Sequence, residues 1–152
     1  MNEFVLSSVD NVVLVTLNNV ANNSNSLASI FSAIGEDKIN IDMICQTAPY
    51  KEKINLSFTI DENDLSKTLG VIGKLKNSIP GLITEVSPGN SKIMVFSELL
   101  KTESGIAARL FGAVAANNLQ IKLITTSDVE ISLLVDANSK EAILDILNKE
   151  FC

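Results

Sequence analysis

Apolar and polar residues alternate along this chain in segments whose period changes, and the changes mark the elements. Val12 to Leu17 is β-branched and apolar, a strand. Leu27, Ile30, Phe31 and Ile34 fall at i, i+3, i+4 and i+7, which puts them on one face of a helix. Asn40 to Thr47 and Ile54 to Ile60 read as two strands joined by the turn APYKEK. Leu65, Leu69, Ile72 and Leu75 mark a second helix, with Asn63 or Asp61 as its N-cap. Ile79-Pro80-Gly81 ends it, and Leu82 to Val86 forms a last strand. The order is β-α-β-β-α-β, the split βαβ of ferredoxin-like α+β folds.

The same order is then written a second time. Shifted by 80 residues, Ala28, Phe31, Ala33, Ile41 and Ile44 meet identical residues at Ala108, Phe111, Ala113, Ile121 and Ile124. Past the middle hairpin the offset falls to 75, where Ile60-Asp61 meets Val135-Asp136. The second copy therefore has a hairpin turn shorter by five residues. It runs Lys92 to Ser97 (strand), Ile106 to Ala116 (helix), Gln120 to Thr126 and Val129 to Val135 (hairpin), and Lys140 to Lys149 (helix). This copy lacks a fourth strand, whereas the first copy has a spare one, Glu3 to Val9, ahead of its own first strand. The spare segment is expected to complete the second sheet, which would otherwise leave a long unpaired edge. The expected modules are residues 11–88, and residues 1–10 plus 89–152.

Composition narrows the chemistry. Hydrophobic residues make up 46% of the 152 and aromatics 5%, so the core must be aliphatic. The net charge is −6 and no run of Lys or Arg exists, which disfavours nucleic-acid binding. An RNA-binding sheet of this fold also needs exposed aromatics, and the central strands offer only Phe58 and Phe96. There is no His, which removes the commonest general base and metal ligand. No acid–base pair stands out, and no cofactor or metal site is read. Cys45 and Cys152 make no disulfide framework. The N-terminal MNEFVLSSVDN has no basic n-region or long apolar run, so a cytoplasmic protein without membrane spans is expected. Asn22-Asn23-Ser24 and Asn55-Leu56-Ser57 match the glycosylation pattern, which such a location leaves unused.

Five asparagines and two serines crowd residues 18 to 26, NNVANNSNS, at the first strand-to-helix junction. Asn22, Asn25 and Ser26 suit ordinary turn and N-cap chemistry. Gly70 and Gly73 suggest close packing of the second helix, and Arg109 an exposed ion pair.

Gly105-Ile106-Ala107-Ala108-Arg109-Leu110-Phe111, Ile124-Thr125-Thr126-Ser127-Asp128-Val129, Ile41-Asp42-Met43-Ile44 and Leu56-Ser57-Phe58-Thr59 carry a family resemblance. The chain resembles the tandem ACT-domain regulatory region of aspartate kinases, or the free-standing small subunit some of these kinases possess. The resemblance covers nearly the whole chain. It implies a non-catalytic allosteric module that binds a free amino acid, lysine or threonine, in the control of amino-acid biosynthesis. It also implies an aspartate kinase catalytic subunit as partner, and paired small sheets imply a homodimer. A module for oligomerisation alone is the alternative. The implied effector residues are Asn22, Asn23, Ser24, Asn25, Ser26 and Leu27, with Gln46, Gln120, Ile121 and Thr126. A second set is Ser104, Gly105 and Ile106, with Asn40, Ile41 and Asp42. The family's loop before the first helix reads VPDRPGVA. Here Asn22, Ser24 and Asn25 replace its Asp, Pro and Gly. Asn25 is expected to keep the left-handed backbone that Gly would take.

Overall fold

A computed structural model describes residues 3–152. Ten elements follow in chain order: β1 (Val5–Ala21), α1 (Ser24–Glu36), β2 (Ile44–Gln46), β3 (Lys53–Asp61), α2 (Leu65–Ser78), β4 (Ile83–Phe96), α3 (Ile106–Ala115), β5 (Leu123–Thr126), β6 (Glu130–Asp136) and α4 (Lys140–Phe151). The chain divides into two compact units, Val12–Pro88 and Met1–Asn11 with Gly89–Cys152. We call them the first and second modules.

In the first module the strand order is β2-β3-β1-β4, and β3 runs antiparallel to both β1 and β2. Period-2 alternation sends Val13, Val15 and Leu17 of β1 and Ile54, Leu56, Phe58 and Ile60 of β3 into one core. Ile30 and Ile34 of α1 and Val71, Ile72 and Leu75 of α2 close it. Leu69 does not take part, being 50% exposed. The fully buried Thr68 takes the inward place on α2 because its hydroxyl donates to the Asp64 carbonyl, which removes the cost of burying it. Gly70 and Gly73 face open space rather than a packed helix. β2 is shorter than its sequence suggests. At its start Met43 N–H donates to the Thr59 hydroxyl and Asp42 N–H to the Thr59 carbonyl, so Asn40 to Asp42 follow the sheet without regular pairing.

In the second module the order is β1-β4-β6-β5. The N-terminal half of β1 completes this sheet. Ser97 Oγ donates to the Glu3 carbonyl at 2.7 Å and Ser91 Oγ to the Asp10 carboxylate at 2.9 Å, one at each end of the paired stretch. Phe4 enters the core with Ile93, Val95, Leu110, Leu133 and Ile143, its ring centroid 4.7 Å from that of Phe151. Burying a Phe contributes about 1.5–3 kcal/mol, which anchors the strand.

The sequence divides β1 and β4 into four strands, but each is continuous. Asp10-Asn11 and Pro88-Gly89 look like turns. Asn11 (φ 58°) and Gly89 (φ 75°) instead adopt left-handed backbone inside a strand that continues past them. The repeat persists in fine detail: Asp61 accepts from Asn63 N–H and Asp136 from Asn138 N–H, each capping a 3-10 turn ahead of the module's second helix.

Candidate functional site

The loop after β1 is tied down at its base. Ala21 pairs with Lys53, and Asn22 N–H donates to the Glu52 carbonyl. Asn23 is the N-cap of α1: its backbone is extended and its side-chain oxygen accepts from Ser26 N–H at 2.8 Å. The helix therefore starts at Ser24, and Asn25 lies in its first turn rather than in left-handed backbone. The side-chain cap supplies what the missing glycine would have done, so the expected turn is replaced by an earlier helix start. Among the described residues the N–H groups of Ser24 and Asn25 find no acceptor, and both residues are exposed. Ser26 and Leu27 are half-buried behind them.

The corresponding junction in the second module is built differently. Ser97 starts a short 3-10 turn, with its hydroxyl accepting from Leu99 N–H. Ser104 is exposed, and Gly105 precedes α3 with φ 89° and no side-chain cap. Ile106 is buried, and the N–H groups of Ile106, Ala107 and Ala108 are unpaired among the described residues. Neither α1 nor α3 has a carboxylate in its first turn. Of the other two helices, α4 has Glu141 in its first turn, while α2 has none there but follows Glu62 and Asp64, as α3 follows Glu103. An incoming anion at α1 or α3 meets the positive end of the helix dipole without competition from an internal acid.

Each module brings some expected residues together and separates others. In the first, Gln46 pairs with Leu56 and Thr47 N–H donates to the Asn55 carbonyl, so Gln46 sits at the same end of the sheet as residues 22–27. Asn40, Ile41 and Asp42 lie beside Thr59, toward the other end. In the second, Thr126 pairs with Ile131, next to the β6 end that meets Phe96, and so shares an end with Ser104, Gly105 and Ile106. Gln120 and Ile121 precede β5 near the C-terminal end of α3, where Leu119 N–H donates to the Val114 carbonyl. They and Thr126 stand at opposite ends of an extended segment, and the 80-residue match already aligned Thr126 with Gln46 and Gln120 with Asn40.

One feature escaped the sequence reading. A hollow of about 490 Å³ at the same end of the first module is lined by Asn18, Asn19, Thr47, Tyr50, Lys53 and Asn55, with Ile83. Asn19 adopts φ 66° at a bulge between Leu17 and Val20, and its amide donates to the Gly81 carbonyl. An Asn-Asn pair inside an apolar strand was the signal for that bulge. Arg109 pairs with Glu150 at 2.8 Å, as expected, and stacks on Phe151.

The family model described as "ACT domain" matches residues 15–74 and again residues 93–151. The chain belongs to the ACT domain family. It is 30% identical over 142 residues to an aspartokinase of Bacillus sp. (strain MGA3), covering 93% of this chain and 34% of that one. Among solved structures it is similar to the ligand-free regulatory subunit of aspartate kinase from Thermus thermophilus, at 24% identity, TM-score 0.88 and 97% coverage of both chains. It is also similar in fold to E. coli aspartokinase III in complex with lysine and aspartate, at 20% identity and TM-score 0.74, covering 96% of this chain and 32% of that one. The chain spans about a third of the length of the aspartokinases it matches. It is a tandem ACT module homologous to the regulatory part of aspartate kinase, and the two matched stretches include no kinase catalytic domain. No helix among the described residues is long and apolar enough to cross a membrane.

Proposed function

We propose that this ACT protein is a cytoplasmic allosteric sensor of a free amino acid, lysine or threonine, acting on an aspartate kinase catalytic partner. The observation that carries the proposal is one feature that the two differently built loop-to-helix junctions share. Both α1 and α3 open with unpaired N–H groups and no first-turn acid, whereas α4 opens with Glu141. An amino-acid carboxylate fits such a terminus. In the first module Asn22 to Leu27 supply the cradle and Gln46 a side-chain amide that can serve either end of the zwitterion. In the second module Ser104, Gly105 and Ile106 supply the cradle with Thr126. Gln120 and Ile121, with Asn40, Ile41 and Asp42, belong to the opposite ends of their modules and reach such a cradle from a second copy.

Assembly as a homodimer fits the exposed edge residues Ile44 on β2 and Ile124 on β5, a repeat-related pair that is 53% and 41% exposed. That same pair is the observation favouring the alternative of an oligomerisation module without effector. Thermal shift with a panel of amino acids separates the two. A melting point raised by lysine or threonine supports the sensor. No response to any amino acid, with a stable dimer in light scattering, supports assembly alone. Copurification of a kinase-sized chain tests the partner.

A further inference from the structure

The second module has an open sheet edge apart from its loop-to-helix junction. β3 pairs with β1 only from Val12 onward, so β4 is the one strand beside Val5 to Asn11 among the described residues. Val5 and Val9 are 54% and 47% exposed along that edge. Beside it runs a groove of about 520 Å³ between β1 and α4, bounded by Leu6, Ser8, Glu141, Leu144, Asp145 and Asn148. Phe4 and Leu6 point toward the helices, because both pack with the module's core. Ser8 shares that face and Val5, Ser7 and Val9 the opposite one.

An exposed strand edge offers unsatisfied backbone donors and acceptors and is a template for strand addition. The flank of α4 that borders the groove, at positions 141, 144, 145 and 148, carries two carboxylates and no cation. Lys140 is turned to Asp10 and Glu141, and Asp145 has no ion pair among the described residues. We infer that this edge docks an extended basic peptide segment of a partner protein. The segment adds antiparallel to β1, with alternate Lys or Arg side chains over Glu141 and Asp145 and the intervening apolar side chains against Val5 and Val9. A second copy fits worse. Pairing β1 with β1 about a two-fold axis brings the α4 flanks alongside each other, acid against acid.

The test uses the full chain and a labelled, end-capped heptapeptide, Lys-Val-Lys-Thr-Lys-Val-Lys, with fluorescence anisotropy as readout. Saturable binding is expected, weakened at least tenfold by Asp145→Lys with Glu141→Lys. The charge-inverted peptide, Glu-Val-Glu-Thr-Glu-Val-Glu, should bind that variant instead. Both positions are exposed, so an unchanged melting temperature checks that the variant is folded. Peptides N-methylated at every second residue in the two alternate phases should differ by at least tenfold, since only one phase blocks the edge facing β1. Equal affinity for wild type and variant, or equal behaviour of the two phases, would overturn the inference, as would dissociation of a dimer of this chain by the peptide.

Discussion

The two modules solve one folding problem with different parts. The first is contiguous, Val12–Pro88, and starts its first helix with a side chain, Asn23. The second takes its fourth strand from the far end of the chain and starts its first helix with a backbone conformation, Gly105 at φ 89°. The repeat aligns Asn25 with Gly105, yet one is helical and the other left-handed. A helix start needs its orphan N–H groups arranged, and either a cap or a glycine turn can do it. The cap satisfies one N–H and leaves two free on α1; the glycine leaves three free on α3. The difference in residue type is therefore a difference in how much of the helix terminus remains for a ligand.

Four changes test this contrast, from the largest expected effect downward. Phe4→Ala should destabilise the second module by about 3 kcal/mol, the cost of removing a buried aromatic. Hydrogen exchange should show the loss in β4, β6 and α4 while β3 and α2 keep their protection. Uniform loss in both modules would mean that they unfold as one. Gly105→Val should cost about 2 kcal/mol in denaturant unfolding, because a β-branched residue resists left-handed backbone. The space itself is open, with nothing within 4 Å of the added Cβ, so any cost reports backbone strain. Asn23→Ala should cost about 1 kcal/mol through loss of the cap. A smaller effect for Gly105→Val than for Asn23→Ala would break the comparison.

The smallest effect concerns pH. Asp10 is held below the ordinary aspartate range by hydrogen bonds from Lys140 first and then Ser91. A carboxylate with a depressed folded-state pKa contributes stability that is present above its unfolded value and lost as pH falls through the folded one. The second module should therefore lose part of its stability below about pH 4. Lys140 is raised by the Asp10 hydrogen bond, so its contribution is present at neutral pH and lost as pH rises past the lysine range. Asp10→Asn should flatten both limbs slightly in melts followed against pH. An unchanged profile would show the exposed pair to be without effect.

Much of the fold was legible because the alternation and helical periods are strong and written twice. Val13, Val15, Leu17 and Ile54 to Ile60 read inward by period alone, and so they are placed. The spare strand was legible from counting strands per copy. What could not be read was the continuity of β1 and β4, since Asn11 and Gly89 look like turn residues until a partner strand shows the backbone carrying on. The inward face of α2 was assigned to Leu69 because it is apolar and suits the period, whereas Thr68 takes the inward place once its hydroxyl meets the Asp64 carbonyl. In the candidate site the loop was legible as a strand-to-helix junction. Which residue caps it was not, because Asn22, Asn23, Ser24 and Asn25 are all competent caps. The bond from Ser26 N–H to the Asn23 side chain is what singles out Asn23.

The central claim is that the α1 and α3 termini hold an amino acid. Isothermal titration of lysine and of threonine into the full chain tests it most directly. Saturable heat with one of them, weakened by Gly105→Val or by Asn23→Ala, is the predicted result. No heat with either amino acid up to millimolar concentration, from a folded chain, would contradict it.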